Sequence, residues 1–107
     1  MFIELKNKPS FQIVEGYAAK IIHTDQLSVM HVNVKAGAPL PEHYHHNEQI
    51  TNIIEGKLEM TVGGETRICE PGDVVVIPSN VLHSAVAITD CRIIDVFNPP
   101  REDLKHL

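Results

Sequence analysis

Turn-forming residues interrupt this chain so often that they leave room for little but β-structure. Glycine, proline and small polar clusters break up apolar, β-branched runs about every 8–12 residues, the spacing of a β-sandwich or barrel. No window longer than ten residues carries a 3.6-residue apolar repeat. The alternating runs predict strands over 11–14, 16–24, 27–34, 50–54, 58–62, 66–69, 74–77, 81–89 and 91–97. Glu55-Gly56-Lys57 and Gly63-Gly64-Glu65 read as hairpin joints, and Pro78 stops the run before it. A short helix after Pro99-Pro100, within residues 101–107, is the one helical element that fits, while the run 102–107 reads foremost as a solvated tail. The expected architecture is one all-β domain over residues 1–107, an antiparallel jelly roll or β-barrel without internal repeats.

Size and charge narrow the function. A chain of 107 residues with 43% hydrophobic content supports one core and one pocket. A net charge of −5 argues against a nucleic-acid or anionic-membrane partner, which would need clustered Lys and Arg. It leaves open a small anionic ligand, because one placed Arg plus a metal can hold a carboxylate. Cys69 and Cys91 are too few for a disulfide framework and stand in no CxxC pair, so both read as free and semi-buried. The first residues lack a basic segment followed by an apolar run, and no stretch approaches the roughly 20 apolar residues of a membrane helix. Cytoplasmic localisation is the expectation.

Chemistry concentrates in two glycine-bounded stretches, GAPLPEHYHHNEQITNIIEG (37–56) and GDVVVIPSNVLHSAV (72–86). If residues 42–51 run extended, His43, His45, Gln49 and Thr51 share one face, and Glu48 and His46 the other. Parity therefore favours Gln49 over Glu48 as a fourth metal ligand, and a bulge in the segment would reverse that choice. His83, near the start of another strand, would close the site from the opposite side. The bland alternative is four polar side chains on surface loops, but an HxH pair with a third His in a framed turn argues against it. His23, His31, His46 and His106 have no such partners and read as ordinary histidines. Tyr44 points away from the metal face and reads as packing.

These residues resemble the cupins. The first cupin motif, G-x5-HxH-x3,4-E-x6-G, is matched by Gly37, His43, His45, Gln49 and Gly56. The second, G-x5-P-x-G-x2-H-x3-N, is matched by Gly72, Pro78 and His83, with Asn80 and Ala87 departing from it. Gln49 in place of Glu is the one departure that alters a ligand. The resemblance covers roughly residues 30–97 and implies a small jelly roll. Within the cupins, HxH-x3-Gln joined to a C-terminal DVFNPPRED is similar to the KdgF-type pectin-degradation proteins. That similarity implies conversion of 4,5-unsaturated uronate monosaccharides from the cyclic to the linear keto form. It implies a divalent metal, nickel or zinc foremost and iron or manganese as alternatives. It also implies an acid, an aromatic and an arginine at D-x-F-x3-R spacing, which are Asp95, Phe97 and Arg101 here. Small cupins commonly pair, so a homodimer is expected, with the 11–14 strand offering an edge.

The residues make sense of this chemistry. Three imidazoles and a neutral amide leave a divalent ion at its full charge, which favours Lewis acidity over stabilising a higher oxidation state. Asp95 shares a face with Ile93 and Phe97 in a strand built for burial. A carboxylate there is costly unless paired or protonated, and it would be poised to move protons. An outward Asp95 capping a loop is the alternative. Arg101 has two readings: a fork for a substrate carboxylate, or a tail residue paired with Glu102 or Asp103. Phe97 is a pocket wall or plain core. Rival functions are a metal-dependent dioxygenase and a non-catalytic sugar-binding module; a purely structural barrel leaves the in-phase ligands unexplained.

Overall fold

The computed structural model covers residues 1–107 and contains ten strands. They are β1 (Phe11–Val14), β2 (Tyr17–His23), β3 (Ser28–Val34), β4 (Pro39–His43) and β5 (Glu48–Glu55), then β6 (Leu58–Val62), β7 (Glu65–Cys69), β8 (Val74–Ile77), β9 (His83–Ala87) and β10 (Cys91–Asn98). All pairings are antiparallel. One sheet has the order β1-β2-β3-β10-β5-β8, the other β4-β9-β6-β7. The result is a jelly-roll barrel whose inner faces share one core.

Alternation explains most of this. Along β10, Cys91, Ile93, Asp95 and Phe97 are buried while the residues between them are more exposed. β2 and β3 follow the same rule and contribute Tyr17, Ile21, Met30 and Val32; the smaller sheet contributes Leu58, Met60 and Ala85. In register, Asp95 stands opposite Thr51 and Phe97 opposite Gln49, so a block of inward polar groups sits at one end of an apolar interior.

Four expectations are corrected. First, residues 42–51 are not one extended strand: β4 ends at His43, residues 44–47 cross between sheets, and β5 begins at Glu48. β4 was hidden by Pro39 and Pro41, which an edge strand tolerates because it has no partner on one side. Second, the 81–89 run is trimmed to β9, since Val81 closes a turn onto Pro78 and Ile88 bonds to Lys57. Third, the 101–107 segment forms no α-helix, only a 3-10 turn over Glu102–Leu104. Seven residues are too few to repay nucleation, and Ser28 and His23 already engage the Arg101 N–H and the Leu104 carbonyl. Fourth, Tyr44 is 65% exposed and packs on nothing inside the barrel. Cys69 and Cys91 are free and buried, deeper than their sequence context suggested.

The β5–β6 joint depends on Gly56, at φ +86°. A methyl group there would run into the Asp90 carbonyl and lie 2.8 Å from Thr89 Oγ1. Strain and overpacking together should make Gly56→Ala destabilising by about 3 kcal/mol. A urea midpoint within error of the parent's would show that this hairpin yields instead.

Candidate metal centre

Three elements bring the histidines together. His43 ends β4, His83 opens β9 directly opposite it in the ladder, and His45 lies in the crossing segment between the sheets. The ring centroids of His43 and His83 are 4.1 Å apart, those of His45 and His83 4.9 Å. One nitrogen from each of the three rings lies within 4.8 Å of the others.

The tautomers follow from the backbone. His43 Nδ1 lies 2.8 Å from the Pro41 carbonyl, His45 Nδ1 3.0 Å from that of Asn47, and His83 Nδ1 2.8 Å from that of Val81. A carbonyl only accepts, so each Nδ1 carries the proton and each Nε2 keeps a lone pair. Nδ1–H···O=C pairing is also the usual support of a metal-bound imidazole. His83 Nε2 is buried and has no hydrogen-bond partner. An orphaned buried acceptor is costly in a cavity that serves no ligand. Burial lowers the His83 pKa to about 4 and also lowers that of His45, which keeps both rings neutral at neutral pH.

Gln49 adjoins the three histidines. Its Oε1 is 3.1 Å from His45 Nε2, and its Nε2 donates to Thr51 Oγ1 at 2.9 Å. Gln49 thus faces the histidines although residues 42–51 do not form the one extended strand expected to carry His43, His45 and Gln49: these three converge across a crossing between sheets instead of along one strand face. Three neutral imidazoles and an amide oxygen suit a first-row divalent ion.

Beyond the histidines lies a cavity of about 260 Å³ lined by His43, His83, Gln49, Asp95, Phe97 and Arg101, with apolar walls further in. Asp95 faces inward and is 5% exposed. Burial pushes its pKa up to about 6, although hydrogen bonds from Thr51 and Gln49 and the charge of Arg101 pull the other way. Phe97 is both core and cavity wall, and its ring meets His45 edge-on at 5.7 Å. The Arg101 guanidinium sits 4.9 Å from the centre of the Phe97 ring. Its Nε and one terminal nitrogen bond the Asp103 carboxylate at 3.0 and 2.8 Å, a pairing that holds Asp103 below the usual carboxylate range. Glu102 turns to Lys105 instead. Arg101 is therefore paired with Asp103 and present in the cavity wall at once. A larger depression of about 860 Å³, lined by β1–β3 and the 35–39 link, mixes Lys35 and Arg92 with Glu15, Glu55 and Asp90 and gathers no ligand cluster.

Three supporting residues escaped the sequence reading. Asn47 is 2% exposed; its amide donates to the carbonyls of Pro99 and Pro100 at 2.6 and 3.2 Å, while its own backbone carbonyl takes the His45 proton. It ties His45 to the segment that carries Arg101. Ser28 Oγ accepts the Arg101 N–H at 2.8 Å and bonds His23, whose other nitrogen donates to the Leu104 carbonyl at 3.0 Å. His23 is a structural tether rather than a surface histidine. The contacts to Pro99, Pro100, Arg101 and Leu104 link residues 52 to 81 positions apart, and nothing local announces them. Thr51 donates to Asp95 Oδ1 at 2.7 Å; parity put it on the Gln49 face but said nothing of this bond.

Fold and site together define a cupin. The cupin-domain family matches residues 30–97, and the chain belongs to that family. It is 32% identical over 98 residues to the pectin degradation protein KdgF of Dickeya dadantii, with 89% of each chain covered. The structure of KdgF from Halomonas sp. superposes with a TM-score of 0.90 at 33% identity, covering 97% of both chains. An RmlC-like cupin from Shewanella frigidimarina superposes at 0.89 with 27% identity, covering 95% of this chain and 93% of its own.

Proposed function

We propose that this protein is a metal-dependent enzyme that opens the ring of 4,5-unsaturated uronate monosaccharides, giving the linear keto acid. The observation that carries the reading is one cavity in which a buried carboxylate, Asp95, and a single arginine share walls with the Gln49 amide and with His43 and His83, two of the three clustered histidines. Its size suits a single sugar ring. The similarity to pectin degradation proteins over nearly the whole chain supports the substrate class. His43, His45, His83 and Gln49 would hold the ion, with nickel or zinc the best fits to a nitrogen-rich neutral set. A bound divalent ion supplies Lewis acidity toward a hydroxyl or carboxylate oxygen of the sugar.

The chain's own groups account for the proton movements. Asp95, close to half-ionised near pH 6, takes the proton of the anomeric hydroxyl as the bond from carbon 1 to the ring oxygen breaks. The released electron pair leaves the ring oxygen as an enolate on carbon 5. Asp95 returns the proton to carbon 4, and the enolate becomes the keto group. Atoms and charge balance, so no oxidant is needed. Arg101 holds the sugar carboxylate with the part of its fork that Asp103 leaves free, and Phe97 supports the guanidinium from below.

The test is turnover of a 4,5-unsaturated galacturonate by nickel- or zinc-loaded protein, followed by loss of enol-ether absorbance beside an oxygen electrode. Metal-dependent loss without oxygen uptake supports the reading; oxygen uptake in step with substrate loss would move the protein to the dioxygenases. Arg101→Met should raise KM for the uronate about 10- to 100-fold with a smaller change in kcat, as expected for one charge-assisted contact. An unchanged KM would mean that Arg101 only serves Asp103.

A further inference from the structure

Gln49 can offer either end of its amide to the histidines, and only the oxygen can bind a cation. The local hydrogen bonding of the metal site favours the wrong end. His45 Nδ1 donates to the Asn47 carbonyl, so His45 Nε2 is an acceptor, yet the atom that faces it at 3.1 Å is Gln49 Oε1, another acceptor. An amide free to turn would present its NH₂ group there instead. What opposes the turn lies behind it. Thr51 donates its only hydroxyl proton to Asp95 Oδ1 at 2.7 Å, so Thr51 Oγ1 can only accept from Gln49, at 2.9 Å. Thr51 is fully buried, which shields its hydroxyl from solvent. Asp95 stands behind the same amide and pulls its NH₂ group in the same direction.

We propose that Thr51 is a positioning residue for the metal centre: its hydroxyl, oriented by Asp95, locks the Gln49 amide with the oxygen toward His43, His45 and His83. The device explains how a neutral amide serves where a carboxylate would need no orienting, since both carboxylate oxygens are equivalent. It also joins the ligand set to the buried acid by a directed chain, Gln49 N–H to Thr51 and Thr51 O–H to Asp95. This rests on the metal reading and not on the uronate reaction.

The experiment is nickel(II) affinity at neutral pH, measured by competition with a chromophoric chelator and without any sugar. Thr51→Val should weaken nickel binding about tenfold or more, the effect of losing a supporting partner, and Thr51→Ser should stay within about threefold of the parent. Repeating Thr51→Val in a Gln49→Glu background separates orientation from packing: the loss should shrink below about threefold there, because a carboxylate has no wrong end. Thr51→Ala carries the same expectation should the valine variant not fold. Equal nickel affinity in the parent and a folded Thr51→Val protein overturns the proposal. So does an equal loss in both backgrounds, which would mark Thr51 as mere packing. A parent that takes up no nickel overturns this proposal and the metal reading together, whereas absence of uronate turnover alone touches only the reaction.

Discussion

His83→Ala is expected to abolish productive metal uptake, and uronate turnover with it. The ring is 2% exposed, opens β9, and contributes the one nitrogen in the centre that is both buried and partnerless. Its loss should weaken nickel or zinc binding by more than the roughly 10- to 100-fold seen when only a supporting partner is removed. Metal content after gel filtration and chelator competition are the measurements. Tight binding retained by His83→Ala would take the centre away from these histidines. The same residue predicts the acid behaviour of the chelated protein. Burial lowers its folded pKa to about 4. The unfolded chain, with an ordinary histidine near 6.5, therefore binds the proton more tightly. The stability contributed by the neutral ring is present above about pH 6.5 and is lost as pH falls toward 4. His83→Ala should flatten that part of the curve.

Asp95→Asn is the second large effect. It keeps the shape and an acceptor for Thr51 but removes the titrating group. Turnover should fall by about 10²- to 10⁴-fold, the usual worth of a positioned acid/base, while metal is still bound. Full turnover would eliminate Asp95 from the reaction. Stability should move the other way in the chelated protein. The Asp95 pKa is raised by burial from 3.8 to about 6, so the folded state favours the protonated form. Its stabilising contribution is complete below about pH 4 and is lost as pH rises through 6. At pH 8 the ionised carboxylate then weighs against folding by up to about 3 kcal/mol. Asp95→Asn should raise the urea midpoint at pH 8 and leave it nearly unchanged at pH 4. Gained stability alongside lost turnover is the signature of a group kept for chemistry. A gain without loss of turnover would reduce Asp95 to a structural carboxylate.

Much of the barrel was legible because strand alternation is local. Period-two burial placed Ile93, Asp95 and Phe97 on one face and the ladder then set Asp95 against Thr51. Hairpin joints at Gly56 and Gly63-Gly64 lie where turn chemistry put them. The prolines of β4 and the seven-residue tail were misread for the converse reason: edge tolerance and competing long-range hydrogen bonds are not local properties.

The centre divides along the same line. Residue chemistry and spacing marked His43, His45, Gln49 and His83 as a set, because HxH plus a framed third His has little use other than a ligand cluster. Nothing in the spacing reveals that residues 44–47 leave one sheet for the other, that three backbone carbonyls choose the histidine tautomers, or that Asn47 clamps the segment carrying Arg101. Nor does it say that Arg101 serves Asp103 and the cavity together. The candidate donor groups belong to the sequence, since imidazole and amide chemistry is intrinsic to the side chains. Their protonation, orientation and mutual distances belong to the tertiary structure, since those depend on burial and on hydrogen-bond partners that the chain brings near only when it folds.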